Sequence, residues 1–257
     1  MSIVQNMHQF EIEIKSLLGS KEKADELVTK LKQQDPNLQI LGAHKQLNHY
    51  FVPTPSGTGL VGGDLKTLFD KIQSLLDDSL REKLKDLSLR AKDFSVRTRE
   101  ADGKVILVVK ASVDDTTSEN GTARLEFEAV LFPSPGDGEG LREKSVKSIS
   151  DLDKLLLDSG FKYQAKWSRE RQDFIFRPKG RQISVSMDKN AGYGYLSEFE
   201  VVVNDESKAE EVKAFIRETM ENLGIVELNQ DRLARMFDFY NKNWREYYGT
   251  DKIFMIE

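Results

Sequence analysis

FEIEIK, residues 10–15, sets Glu11, Glu13 and Lys15 on alternate positions with Ile12 and Ile14 between them. Side chains alternate across a strand, so the three charges share one face and the two isoleucines the other. A half-exposed strand with a wet outer face accounts for this stretch taken alone. The pattern returns along the chain, however. Arg97 and Arg99 alternate with Val96 and Thr98, Lys110 follows Ile106 and Val108, and Arg124, Glu126 and Glu128 alternate with Leu125, Phe127 and Ala129. Further on, Arg169 and Arg171 share a face, Asp188 falls opposite Ile183, Val185 and Met187, and Glu198 and Glu200 alternate with Phe199 and Val201.

An open antiparallel sheet with a solvated face is one solution to this pattern. Two features favour a closed one. Several amphipathic helices need apolar sheet surface to cover, and that surface is the Ile, Val, Leu and Phe side of these same strands. The charges are also sorted, as Glu-x-Glu on three strands and Arg-x-Arg on two others. Like charges two residues apart on a strand lie roughly 7 Å apart and repel, so something must compensate them. The expected architecture is therefore α+β, a closed antiparallel β-barrel forming a tunnel, with a charged lumen and helices packed outside. Cations would offset the carboxylates and a polyanion the arginines and lysines. Oxygen ligands suit Mg²⁺ or Mn²⁺, and a polyanion bound with such a metal is most simply a phosphate chain.

Composition narrows the chemistry further. A chain of 257 residues can bury a substantial core. Its net charge of −5 carries no footprint for general nucleic-acid binding. With no cysteine, disulfides, zinc-thiolate sites, iron-sulfur clusters and thiol nucleophiles are excluded together. No apolar run approaches the roughly 20 residues that span a bilayer, and the N-terminal stretch has no basic-then-apolar leader, so the expectation is a soluble, cytoplasmic protein with no membrane partner.

Between the strands, Ser20 is placed to cap a helix that Asp35-Pro36 stops. Residues 64–90 keep helical spacing as one long helix or two in series. Asp102-Gly103 reads as a tight turn, Ser148 to Asp158 as a capped helix, and Ser207 to Glu210 as a capping box opening another. The glycines at 57, 59, 62 and 63 precede no Gly-Lys-Ser/Thr and read as linkage. Leu233, Met236, Phe237, Tyr240, Trp244, Tyr247 and Tyr248 form a helical stripe in the tail, expected to pack on the sheet, with a ligand site or homodimer contact as alternatives.

Taken together in order, EIEIK at 11–15, RTR at 97–99, Lys110, RLEFE at 124–128, RER at 169–171, Asp188 and YGYLSEFE at 193–200 resemble the CYTH superfamily, the triphosphate tunnel metalloenzymes. That family includes inorganic, thiamine and RNA triphosphatases and class IV adenylate cyclases. The resemblance implies a tunnel domain over residues 1–228, with residues 64–90 as a helical insertion and 229–257 as a tail packed on the barrel. It implies metal ligands drawn from Glu11, Glu13, Glu126, Glu128, Asp188, Glu198 and Glu200. It implies triphosphate binding by Lys15, Arg97, Arg99, Lys110, Arg124, Arg169 and Arg171, joined by Lys166, with Glu11, Glu13, Lys15 and Arg99 at the reacting centre. His49 is read as a rim or packing residue. The implied activity is metal-dependent hydrolysis of tripolyphosphate, ATP or a similar triphosphate. Cyclisation of ATP to cyclic AMP and non-catalytic capture of a polyphosphate or RNA 5′-triphosphate are the alternatives.

Overall fold

A computed structural model describes residues 10–55, 61–62, 64–91, 93–112, 124–132, 146–190 and 192–256, and of Pro55, Val61, Ser112, Arg124 and Glu206 the backbone alone. Strand β1 (Phe10–Gly19) leads through α1 (Lys21–Gln34) to the long β2 (Gln39–Pro55) and a two-residue β3 (Val61–Gly62). Helices α2 (Leu65–Ile72) and α3 (Asp78–Arg90) precede β4 (Asp93–Ala101), β5 (Lys104–Ser112) and β6 (Arg124–Phe132). Then come α4 (Ile149–Asp158), β7 (Phe161–Phe176), β8 (Ile183–Asn190), β9 (Gly194–Val203), α5 (Ala209–Asn222) and α6 (Gln230–Tyr247).

Eight of these strands form an antiparallel ring in the order β2-β4-β5-β6-β1-β9-β8-β7, closed by β7 pairing back on β2. The closing ladder is long, running from Gln39↔Ile175 to Pro53↔Phe161. The β1–β6 join is short, with Phe10 opposite Leu125 and Glu11 opposite Arg124. This is the closed tunnel that the alternating charges require.

The apolar faces of the strands point outward, where the helices cover them in two slabs. Under α1 and α5, Ile12, Ile14, Phe174, Phe176, Val185 and Phe199 are buried with Leu27, Leu31, Val212 and Ile216. Under α2, α3 and α4, Val96, Leu107, Val109 and Phe127 are buried with Leu68, Ile72, Leu84 and Leu152. Each such side chain contributes about 1.5–3 kcal/mol on burial, so the ring is held by what lies outside it.

The local signals explain most boundaries. Ser20 accepts from the Lys23 amide at the start of α1, and Ser148 from the Asp151 amide at the start of α4. The 64–90 segment resolves into two helices because Asp77 accepts from the Leu80 amide and restarts the chain after a 3₁₀ turn at Gln73–Leu75. The β4–β5 connection is the two-residue turn expected, with Asp102 and Gly103 at φ of 51° and 71°. Ser207 does not cap α5. Its amide and hydroxyl both donate to Asp205, which opens a 3₁₀ turn, and α5 starts two residues later without a side-chain cap.

Helix α6 lies across one mouth of the tunnel. Leu233, Met236 and Tyr240 are buried there against Ala165, Trp167, Tyr193 and Leu196. The chain then returns so that Gly192 donates to Lys252 O and accepts from the Phe254 amide. The start of β9 lies equally close to the end of β1: Gly194 has φ of +76°, and a Cβ there would stand 2.4 Å from the Gly19 carbonyl oxygen. Gly194→Ala is therefore expected to destabilise the protein by about 1–3 kcal/mol in urea unfolding. Unchanged stability would show that the β1 and β9 ends are not held at this distance.

Candidate active site

A cavity of about 520 Å³ occupies the lumen. Into it converge Glu11, Glu13 and Lys15 from β1, Arg97 and Arg99 from β4, Lys110 from β5, and Glu126 and Glu128 from β6. Arg169 and Arg171 from β7, Asp188 from β8 and Glu198 and Glu200 from β9 complete the charged lining. Strand alternation positions all of these, because each lies on the face opposite the outer slabs.

Two of the residues that the sequence pointed to are not in this group. The side chain of Arg124 lies outside the described residues. Lys166 points outward, where its Nζ sits 3.8 Å from Asp153 and 4.2 Å from the centre of the Tyr163 ring. There it joins a buried polar cluster on the outer wall. His49 Nδ1 meets Asp153 Oδ2 at 2.7 Å and Nε2 meets the Tyr248 hydroxyl at 2.8 Å, while Thr98 and Tyr163 donate to the same Asp153 carboxylate. His49 is thus a packing residue that ties the end of α6 to α4 and β2, where an unpaired buried carboxylate would be costly.

Inside the tunnel the charges sort into two regions. On one side, Asp188, 1% exposed, accepts from both Arg169 and Arg171 at 2.7–2.8 Å, and Arg171 also reaches Glu198 at 2.5 Å. Lys15 contacts Glu13 and lies 3.3 Å from Glu198. Burial disfavours the Glu198 carboxylate, but Lys15, Arg171 and Arg169 outweigh that and hold its pKa well below the usual range. Burial drives Lys15 the other way, lowering its pKa.

On the other side Glu11 and Glu126 share a hydrogen bond, with Lys110 donating to Glu11 at 2.6 Å. Burial, and then the contact with Glu126, push the Glu11 carboxyl up to about 8. Glu126 goes down, because the bond from Glu11 and the charges of Lys110, Arg97 and Arg99 overcome its burial. Burial also raises Glu200. Two carboxylates this close hold one proton between them.

Above this pair, Arg97, Arg99 and Arg169 crowd together. Arg99 donates to Asn48 at 3.0 Å and to Glu128 at 2.7 Å, yet burial and the repulsion of Arg97 and Arg169 lower its pKa to about 10. Tyr50 receives a hydrogen bond from Arg97 at 2.9 Å. The charges of Arg97 and Arg169 override burial to bring its hydroxyl down to about 8. An arginine lowered by burial and like charge, as Arg99 is, has capacity for an added anion.

Sequence reading overlooked Tyr50, Asn48, Trp167, Asn190 and Tyr193, all of which line the cavity. Asn48 and Tyr50 occupy alternate positions of β2, so period-two spacing marks them, but they carry no charge to draw attention.

Charge linkage makes this site visible in stability. Between the ordinary carboxylate range and about pH 8, native Glu11 keeps a proton that the unfolded chain has lost. Metal-free protein therefore loses stability as pH rises through that window. Glu11→Gln, which stays neutral, is expected to gain on the wild type as pH rises from 5 to 9, by the order of a few kcal/mol. Urea unfolding in chelator at each pH measures this, and a pH-independent difference would remove Glu11 from the proton-sharing pair.

Comparison with known proteins agrees with this geometry. No curated protein matches the chain in sequence. Among solved structures, the PH1819 protein of Pyrococcus horikoshii OT3 is 18% identical with a TM-score of 0.53, over 86% of this chain and 93% of that one. A conserved hypothetical protein of Pyrococcus furiosus is 18% identical with a TM-score of 0.51, over 84% and 92%. At such identity these likenesses concern the fold. The family model for the CYTH domain matches residues 9–234, from the first lumen strand into α6. The closed tunnel, its inward charges and this match together place the chain in the CYTH family.

Proposed function

We propose that this protein is a metal-dependent phosphohydrolase that cleaves a phosphoanhydride bond of a triphosphate held in the tunnel. One juxtaposition supports the reading most directly: Arg97, Arg99 and Arg169 converge on the lumen, where burial and the charges of the other two lower Arg99, beside a hydrogen-bonded glutamate pair in which burial and Glu126 raise Glu11. A phosphate chain relieves the first and a divalent cation the second. Membership of the CYTH family supports the same triphosphate chemistry.

The residues present fit a hard cation in their donor chemistry. Every acidic lining group is a carboxylate, and no sulfur or imidazole competes among the lining residues. Among the described residues no three acidic or histidine side chains stand ready-made as a ligand set, since the lumen carboxylates are engaged with Lys and Arg. Glu11, Glu126 and Glu200 are the ones whose mutual repulsion a cation would relieve. Asp188 is committed to two arginines, which it orients. When bound, Mg²⁺ or Mn²⁺ would neutralise phosphate charge and favour ionisation of the attacking water.

The chain's own residues supply the remainder. Arg97, Arg99 and Arg169 bind phosphoryl oxygens through planar, multidentate guanidinium groups whose positions are fixed before substrate arrives. Lys15, desolvated beside Glu13 and Glu198, holds a further charge on the opposite wall. Because these groups are prearranged in an enclosed site, charge developing on the phosphoryl oxygens is stabilised without reorganisation.

Incubation of the purified protein with tripolyphosphate or ATP and Mg²⁺ or Mn²⁺ tests the reading. The expected products are orthophosphate with pyrophosphate or ADP, abolished by chelator. Cyclic AMP with pyrophosphate would make the protein a cyclase, and tight binding without product a capture module. Glu11→Gln is expected to cut turnover by about a hundredfold or more with the fold intact, and full retention of activity would take Glu11 out of the site. Arg97→Ala should raise the KM for triphosphate by about tenfold or more while leaving adenosine binding unchanged. Equal loss for both ligands would count against a phosphate contact.

A further inference from the structure

Arg169 is anchored on two sides. Its Nη1 donates to Asp188 at 2.7 Å and its Nε to Gln46 Oε1 at 2.8 Å. Its Nη2 has no hydrogen-bond partner among the described residues, and the side chain borders the cavity. The first anchor belongs to the charged lumen, but the second leads out of it. Gln46 is 5% exposed, and its Nε2 meets His44 Nε2 at 2.7 Å. The other ring nitrogen of His44, Nδ1, lies 3.9 Å from Asp173 Oδ2, and Asp173 Oδ1 accepts from the Ser186 hydroxyl at 2.6 Å. Register puts this row on the side of Arg169 away from α6: Gln46 stands opposite Arg169 and His44 opposite Arg171, whereas Asn48 stands opposite Trp167.

Donor chemistry fixes the direction of the bonds. A guanidinium has no acceptor, so the Gln46 atom facing Arg169 must be its oxygen. The Gln46 amide nitrogen then faces His44 and needs an acceptor there. A neutral imidazole has one acceptor nitrogen, and a protonated imidazole has none. His44 must therefore leave Nε2 bare and carry its proton on Nδ1, the side on which the Asp173 carboxylate lies. A second proton on His44 would set two donors against each other, and turning the amide to relieve them would set its nitrogen against Arg169 Nε. Either way a donor loses its partner and the second anchor of Arg169 weakens. The charged groups facing His44 are Asp173 and Arg171, both on β7, and Arg171 is itself engaged with Asp188 and Glu198. The neighbouring Lys45 lies 3.8 Å from Glu170, and Ser186 on β8 is neutral.

We propose that His44 and Gln46 are positioning residues for phosphate binding: His44, as a neutral acceptor, holds the Gln46 amide in the orientation that anchors Arg169, so that Nη2 meets a phosphoryl oxygen. This rests on the phosphate role given to Arg169 above and adds what sets the geometry of that residue. A guanidinium fixed at Nε and Nη1 reaches its anion without reorganising. The relay also makes anion binding fall when His44 takes a proton, the reverse of what an added positive charge does by itself.

Two measurements on the full chain test this. NMR of the imidazole nitrogens reads the tautomer of His44 and the pH at which it takes a second proton. Calorimetric titration with tripolyphosphate in chelator reads affinity on both sides of that pH. The Nδ1–H tautomer is expected. On the alkaline side His44→Leu, which offers no acceptor, should bind about tenfold more weakly than the wild type. His44→Gln, whose amide oxygen can accept and which takes no proton, should restore the affinity there. On the acid side the wild type should fall about tenfold below His44→Gln. An Nε2–H tautomer would overturn the proposal, as would wild-type affinity in His44→Leu, or a wild type that strengthens relative to His44→Gln on acidification. The tautomer is read in the wild type, so it decides even where a variant does not fold. Weakened binding in Arg97→Ala but not in His44→Leu would leave the triphosphate reading standing without the relay. The expected pattern with no hydrolysis in Mg²⁺ or Mn²⁺ would sustain the relay and overturn the hydrolase reading, and no binding by the wild type would overturn both.

Discussion

Closure of the ring by the β2–β7 ladder is the constraint on which the rest depends. Some dozen ionised side chains point away from water into a hollow, and each alone would be costly to desolvate. They are tolerable because closure sets them opposite one another: Arg171 against Asp188 and Glu198, Lys110 against Glu11, Arg99 against Glu128. Opening the ladder would expose these pairs and loosen two apolar slabs together. The stability of the fold and the electrostatics of the lumen are in this sense one property.

Compensation within the lumen is uneven, and its unevenness carries the functional meaning. On the β7–β8–β9 side, carboxylates and guanidinium groups are matched in bidentate contacts, and burial makes them rigid. On the β1–β4–β6 side, burial and Glu126 raise the Glu11 carboxyl while burial and the charge of Arg97 lower Arg99. A protein selected for stability alone would have neutralised both. Retained stress of this kind, in an enclosed cavity, is characteristic of sites that await ligands of opposite sign.

The outer wall solves a different problem. Asp153 is buried on α4 and is satisfied by Thr98, Tyr163 and His49, and His49 passes the connection to Tyr248 beyond the end of α6. The helix that closes the tunnel is therefore fastened from outside as well as by its own packing on Trp167, against which Tyr240 stacks at 3.4 Å.

What the sequence determined by itself was the facing of the strands. Period-two alternation in FEIEIK and RLEFE forces Glu11, Glu13, Glu126 and Glu128 to one side of their strands whatever the partners are, and helical stripes demand that the opposite side be covered. The acidic set was legible for that reason, and so was the tunnel. Tertiary structure alone decided which neighbours meet. Lys166 is one residue from Trp167, and a single step in a strand sends it outward to Asp153. Asp188 looks like any other acidic residue until two arginines enclose it. Trp167, Asn190 and Tyr193 come from separate strands and turns, and only ring closure, with α6 laid across the mouth, makes them walls of one compartment. Local periodicity fixes direction, whereas contact between distant segments depends on register and curvature, which no short stretch of sequence contains.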